Sequence, residues 1–329
     1  MEPQKEEYPD YLPYIQNAQT SDDEIDLRKF FNVLWRGKLI VILTTILFAV
    51  GSVLYALSLS DVYKADSLLS PAESSGGGGL SKMAGQLGGL AALAGVNLGG
   101  GDSSQTDLAV QVIKSRQFIS SFIDKHALLV PLMAAEGWDM SSNKLIIDSE
   151  IYDSDSDTWL RNEKGLRGPK PTLQEAYEIF VQEHLNIIQD KDSGLYKLSV
   201  KHFSPFIAQQ WVTWLIEDIN KVMRERTIQE ATQNLSYLNL QLDKTAVAEM
   251  QSTFYKLIEE QTKSLMLAEV QDEFVFKVVD PALVPEIKEG PKRALICILG
   301  TFLGSILGAL IVLCRFAFFT NERVVKGLD

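Results

Sequence analysis

Two runs of this chain are uncharged and mainly apolar, residues 39–59 and 294–314, and polar positions interrupt the apolar ones through most of the rest. Each run has about the 20 residues that an α-helix needs to cross a hydrocarbon core. Between them the alternation changes period several times. Residues 62–69, 145–152, 186–189, 195–201 and 274–279 read as strands, the third and fourth joined by a turn over 190–194. Residues 107–129 carry Leu108, Val112, Ile113, Phe118, Ile119, Phe122 and Ile123 on one broad face, and residues 173–185 begin after Pro171 and Thr172, so both predict helices. Ser204 and Pro205 then form a helix start, a serine cap with proline at the first helical position. After Pro205 there is neither proline nor glycine until past Gln271. One unbroken helix over 205–271 would reach about 100 Å. Trp211, Trp214, Leu215, Ile219 and Val222 cover its first turns. Leu235, Leu238, Leu242, Ala246, Phe254, Leu257, Ile258, Leu265 and Ala268 continue a thin apolar stripe. A helix so long with so thin a stripe needs neighbours, as a coiled coil or an oligomer wall, and a break near residues 245–251 would be invisible in the sequence.

The expected fold class is therefore membrane α+β: two transmembrane helices bracketing an external α/β base domain with a very long extended helix. The expected division is a tail over 1–38, a first span over 39–59, an oligomerising domain over 60–293, a second span over 294–314 and a tail over 315–329. Within the first tail, residues 21–35 place Ile25, Leu27, Phe30, Phe31, Leu34 and Trp35 opposite Arg28 and Lys29. That pattern fits an amphipathic helix on a membrane surface or a docking helix for a soluble partner. The first span is too long for a signal peptide, follows a long acidic tail and lacks a small-residue cleavage site, so it reads as a retained anchor. Arg28, Lys29, Arg36 and Lys38 precede it and only Lys64 follows closely, which puts the N-terminus in the cytoplasm. Two spans return the C-terminus there, with Arg315, Arg323 and Lys326 inside and Lys292 and Arg293 outside.

Glycine has two special placements. Half of the 22 glycines fall within residues 70–102. There Leu80, Met83, Leu87, Leu90 and Ala94 repeat at helical spacing, against a cost of about 1 kcal/mol for each glycine in a helix. A flexible loop and a mobile apolar flap both fit. In the second span, Gly300, Gly304 and Gly308 recur every fourth residue as two overlapping GxxxG patterns. Such a face admits close approach of another helix, although glycine is also tolerated generally in membrane helices. Pro281, Pro285 and Pro291 stiffen the approach to that span. Lys292 and Arg293 are candidate lipid-phosphate contacts, with ordinary interfacial snorkelling as the plainer reading.

The formal net charge of −12 argues against a nucleic-acid partner. The two cysteines, Cys297 and Cys314, lie about 25 Å apart along one helix and cannot pair within the chain. His126, His184 and His202 are scattered without ligand spacing. Asp153, Asp155 and Asp157 have the spacing that starts a calcium loop, but Thr158 replaces the glycine and Lys164 the final glutamate that such a loop needs. No phosphate-cradling GxxxxGK[ST] and no GxSxG elbow occurs. The expectation is a protein without catalytic residues, cofactor or metal.

Four segments carry a family likeness: EIDLRKFFNVLWRGK before the first span, VYKADSLLSP after it, LYKLSVKHFSPFIAQQWVTWLIEDINK at the start of the long helix, and VVDPALVPEIKEGPKRALI before the second span. The GGLAALAG stretch adds to them. In this order and spacing the chain resembles the Wzz-type chain-length determinants of bacterial surface polysaccharide, the class 1 polysaccharide co-polymerases. The resemblance implies an inner-membrane protein with both termini cytoplasmic and a periplasmic body. It implies a homo-oligomeric ring that sets the length of a polymer, usually the O-antigen of lipopolysaccharide. A separate membrane polymerase makes that polymer on an undecaprenyl-linked glycan. The family's proline-rich segment maps to Pro281, Pro285 and Pro291, and its membrane glycines to Gly300, Gly304 and Gly308. Related tyrosine autokinases add a cytoplasmic ATPase domain, and the short tail to Asp329 is expected to place this chain outside that branch. The competing expectation is a scaffold or kinase adaptor for capsule or exopolysaccharide export.

Overall fold

The computed structural model describes residues 34–72 and 101–325, apart from 164 and 166. Nearly all of the expected amphipathic helix over 21–35, most of the glycine-rich stretch and the last four residues lie outside the described residues. The chain divides into two compact units, residues 1–54 with 294–329, and residues 55–293.

The larger unit is built on a four-stranded antiparallel sheet in the order β6-β7-β1-β8. Its strands are β1 (Tyr63–Pro71), β6 (Leu185–Gln189), β7 (Tyr196–His202) and β8 (Phe276–Asp280). These are close to the strands that the period-two pattern predicts. The β6–β7 turn closes as expected, with Asp190 accepting from the Asp192 N–H at 3.0 Å and the Ser193 hydroxyl at 2.8 Å. Gly194 supplies the positive φ of +73° that the turn requires. Two small hairpins accompany the sheet: β2 (Ala135–Asp139) with β3 (Lys144–Ile147), and β4 (Tyr152–Asp153) with β5 (Thr158–Trp159). The single strand expected over 145–152 is thus two pieces of different hairpins. Asp148 interrupts it by accepting from the Glu150 N–H at 2.8 Å.

Helices α2 (Gly101–Ile113), α3 (Arg116–Lys125), α4 (Leu129–Met133) and α5 (Leu173–Ile179) cover the sheet with the start of α6 (Pro205–Lys244). The one helix expected over 107–129 is divided at Ser115, whose side chain caps α3 by accepting from the Phe118 N–H at 3.2 Å. The core joins the predicted faces: Leu69, Leu198 and Val200 from the sheet, Phe122 and Ile123 from α3, and Trp211, Leu215 and Ile219 from α6, all essentially inaccessible.

The structure corrects the long helix. It is not continuous over 205–271. Helix α6 ends at Lys244, residues 245–247 are extended, and α7 (Ala248–Val270) returns beside it. The pairing is antiparallel. Asn234 on α6 donates to Gln261 on α7 at 3.3 Å, and Arg224 meets Asp272, just past α7, at 3.0 Å. The physical reason lies in the stripe itself. Folding back turns Leu235, Leu238 and Leu242 to the same interior as Phe254, Ile258 and Leu265, and all six are half-buried. Ala231 and Ala268 are buried in it.

The smaller unit pairs most of α1 (Lys38–Ser58) with α8 (Arg293–Val325). Both are long and apolar enough to cross a membrane by length and composition. The second extends well past the span expected over 294–314.

Candidate functional site

The glycine face of α8 is in contact with α1. A methyl group on Gly304 would stand 2.6 Å from Phe48 Cβ and 3.2 Å from the Thr44 carbonyl oxygen. On Gly308 it would stand 2.9 Å from Val41 Cα, and on Gly300 it would collide with the Ser52 side chain. Gly37 meets Val312 in the same way at the other end. Residues 41, 44, 48 and 52 of one helix therefore lie along glycines 308, 304 and 300 of the other, running antiparallel. Backbones come this close only where side chains are absent, which is why the every-fourth spacing was informative. The face is filled by this chain's own first apolar helix. Thr44 and Ser52 close their hydroxyls onto the helix backbone, at 2.9 Å to the Val41 and Ala49 carbonyls, so neither brings an unmet polar group to the contact.

A second cluster lies within the larger unit, where the chain enters and leaves it. Val62 and Gly290 pair as an antiparallel bridge, with Val62 N–H donating to the Gly290 carbonyl and Glu289 N–H to the Val62 carbonyl, both at 2.9 Å. Arg293 donates from Nε to the Ala56 carbonyl and from Nη2 to the Leu59 carbonyl, each at 3.0 Å, and pairs with Asp61 at 2.9 Å. Lys288 reaches the same carboxylate at 3.0 Å. The last carbonyls of a helix have no intrahelical partner, and the guanidinium satisfies that of Ala56, with that of Leu59 just past the helix, while facing the negative end of the dipole. The sequence read Arg293 as an interfacial cation and a candidate lipid contact; the structure gives its donors to the end of α1 and to Asp61. Lys292 is exposed and carries no such contacts. If the clamp is the role of Arg293, Arg293→Lys and Arg293→Gln both lower the thermal midpoint of the full chain in detergent. The loss corresponds to about 1.5–3 kcal/mol of charge-assisted hydrogen bonding. A lysine that preserves full stability would make charge alone sufficient.

Pro281, Pro285 and Pro291 occupy the irregular segment between β8 and α8. The Ala282 carbonyl accepts from Gln209 on α6 at 3.2 Å, which seats the segment on the sheet-facing helix. Leu283 and Ile287 within it are 72% and 82% exposed.

The histidines prove less scattered than their spacing suggests. His184 and His202 lie 6.1 Å apart between ring centroids, both against Trp211. His202 Nδ1 accepts from the Ser204 N–H and Nε2 faces the Pro131 carbonyl, both at 3.0 Å. Burial pushes His202 down to about 4, and burial lowers His184 as well. Both are neutral structural groups. A histidine with a depressed folded-state pKa contributes stability in full above its unfolded value near 6.5. That contribution falls as the pH drops toward about 4, by about 3 kcal/mol in total. A melting series of the full chain from pH 7.5 to 4 should show this loss, and His202→Gln should flatten it. His126 has a different setting, stacked on Trp214 at 4.2 Å and bonded to Asp218 at 2.9 Å, with Lys125 on the other carboxylate oxygen. Among the described residues no three histidines, cysteines or carboxylates converge to hold a metal.

The class that this architecture defines is an α/β body with a helical hairpin, flanked in sequence by two long apolar helices. Residues 23–126 match the family model of the chain length determinant protein, Wzz. The likeness to Wzz-type chain-length determinants drawn from the sequence therefore holds over that segment. Residues 232–317 match a second model, GNVR, a G-rich domain on candidate tyrosine kinases. Among solved structures the chain is similar to a full-length bacterial polysaccharide co-polymerase. Identity is 15%, 91% of this chain and 99% of that one are covered, and the TM-score is 0.37. It is also similar to a fragment of WzzB, a polysaccharide co-polymerase from Salmonella Typhimurium, at 10% identity over 70% of this chain and 100% of that one, with a TM-score of 0.30. No curated protein matches it.

Proposed function

We propose that this chain sets the length of a bacterial surface polysaccharide, the O-antigen of lipopolysaccharide, as an oligomeric co-polymerase acting on a separate membrane polymerase. The match of residues 23–126 to the chain length determinant model carries this reading. In it, α1 and α8 cross the inner membrane, both termini are cytoplasmic and residues 60–293 are periplasmic. Pairing along Gly300, Gly304 and Gly308 supports an arrangement in which the two crossings form one unit. The hairpin leaves Tyr237, Tyr255, Met266 and Val270 at least 60% exposed, a surface suited to contact with further copies in a ring. The protein does no chemistry itself; it positions a polymerase and its undecaprenyl-linked glycan. Deletion of the gene should replace a narrow band of polysaccharide lengths on a gel by short and random ones. Unchanged banding would defeat the proposal.

A second reading is favoured by the match of residues 232–317 to a domain described on candidate tyrosine kinases. Here the chain serves as the membrane adaptor of a soluble kinase in capsule or exopolysaccharide export. Co-purification with a tyrosine kinase, together with loss of capsule and normal lipopolysaccharide on deletion, would favour this alternative over the first.

A further inference from the structure

The larger unit contains a cleft of about 950 Å³ to which nothing above gives a role. Ser58, Leu59 and Ser60, which leave α1, line one part of it, and Gly290, Pro291 and Lys292, which lead into α8, another. Its charged lining is mixed: Glu136, Asp148, Glu183 and Glu289 against Lys201 and Lys292. Asp148 is engaged with a backbone N–H. The other three carboxylates and both lysines make no side-chain hydrogen bond or ion pair among the described residues. His184 also lines the cleft; its Nδ1 is engaged with the Lys201 carbonyl at 2.6 Å, which leaves Nε2 as a free acceptor. Met133, Ile151, Ile179 and Phe203 supply apolar surface beneath these groups.

The chemistry of this lining narrows the ligand. The carboxylates do not converge with histidines on a metal geometry among the described residues. Four carboxylates against two lysines repel a phosphate or another anion. Unpaired donors and acceptors set around an apolar floor suit a molecule whose groups both give and accept hydrogen bonds and whose ring faces carry only C–H. Hydroxyl-rich sugar rings have this character. We propose that the cleft binds an uncharged segment of a saccharide chain, Glu183 and Glu289 accepting from its hydroxyls and Lys201 and Lys292 donating to its oxygens. The proposal rests on the reading of the chain as a polysaccharide length regulator, and assigns to it a direct hold on the glycan.

The test uses the full chain in detergent. Short oligosaccharides are released by mild acid from the surface polysaccharide of the cells that carry this chain, and titrated by calorimetry. Saturable binding is expected. Glu183→Gln with Lys201→Met should weaken it about tenfold or more, as should Glu289→Gln with Lys292→Met on the other wall. Thermal midpoint and subunit number should not change, since Glu183, Glu289 and Lys292 are exposed and Lys201 holds His184 through its backbone. No saturable binding, or an affinity in both double variants equal to that of the unaltered chain, would overturn the proposal. So would preferential binding of inorganic pyrophosphate or of phosphatidylglycerol vesicles that Lys201→Met alone abolishes, since the cleft would then be an anion site. A chain whose deletion scrambles polymer length but which binds no oligosaccharide fails this test and keeps the function proposed above. Saturable binding with no effect of deletion on length supports the cleft and defeats that function.

Discussion

Gly304→Leu is expected to shift or scramble the length distribution of the surface polysaccharide while leaving the outer assembly intact. The position is buried, and even one methyl would press on Phe48 Cβ at 2.6 Å and the Thr44 carbonyl oxygen at 3.2 Å. Phe48 has a rotamer to yield, but a backbone oxygen moves only if the helix moves. A leucine adds three more carbons at the same point, so α1 and α8 must separate or slide. Overpacking of this kind costs about 1–3 kcal/mol, enough to reduce the paired arrangement about five- to 150-fold. The α/β unit lies in a separate part of the chain and keeps its own core. Gel analysis of polysaccharide length, with native mass measurement in detergent, separates the two effects. Normal lengths in this variant would show that helix pairing does not matter to the output. Gly308→Ala is the sharper companion, because its methyl would meet Val41 Cα at 2.9 Å and no side-chain motion relieves that.

Asn220→Leu should be the most destabilising single change in the larger unit. Asn220 is buried on α6. Its Oδ1 accepts from the Val275 and Phe276 N–H groups at 2.8 and 2.9 Å, and its Nδ2 donates to the Phe276 carbonyl at 3.0 Å. One amide thus fixes the point at which the returning chain leaves the hairpin and enters β8. Leucine has nearly the same shape and none of these bonds. It leaves three backbone groups buried without partners, at about 1–3 kcal/mol each. The expected result is a loss of several kcal/mol in denaturant unfolding and protease sensitivity beginning near residues 270–280. A midpoint within error of the parent would mean that water reaches these groups.

Local signals account for what the sequence made legible. Strands β1, β6, β7 and β8 announced themselves by alternation and by the turn over 190–194, and the start of α6 by Ser204 and Pro205, whose serine caps it at 3.5 Å through the Ile207 N–H. The glycine face was legible because a spacing of four is itself geometric. The break at 245–247 left no mark: neither glycine nor proline stands there, and what ends α6 is the gain from laying one thin stripe against another. The β2–β3 hairpin was missed although Asp139, Ser141, Ser142 and Asn143 form a turn. Asp139 gathers both serines with its carboxylate, and Asn143 adopts a φ of +51°. Arg293 was read by its neighbours in sequence, whereas its partners at 56, 59 and 61 come from the far end of the chain, and no local pattern carries such a meeting. His184 and His202 meet at the open end of the β6–β7 hairpin, a pairing that the two predicted strands and their turn already implied.

The bridge between Val62 and Gly290, with Arg293 beside it, ties together the two places where the chain enters and leaves the larger unit. Chain entry and chain exit of this unit thus share one small set of hydrogen bonds, so a force applied to either strand of the chain loads the same few donors and acceptors.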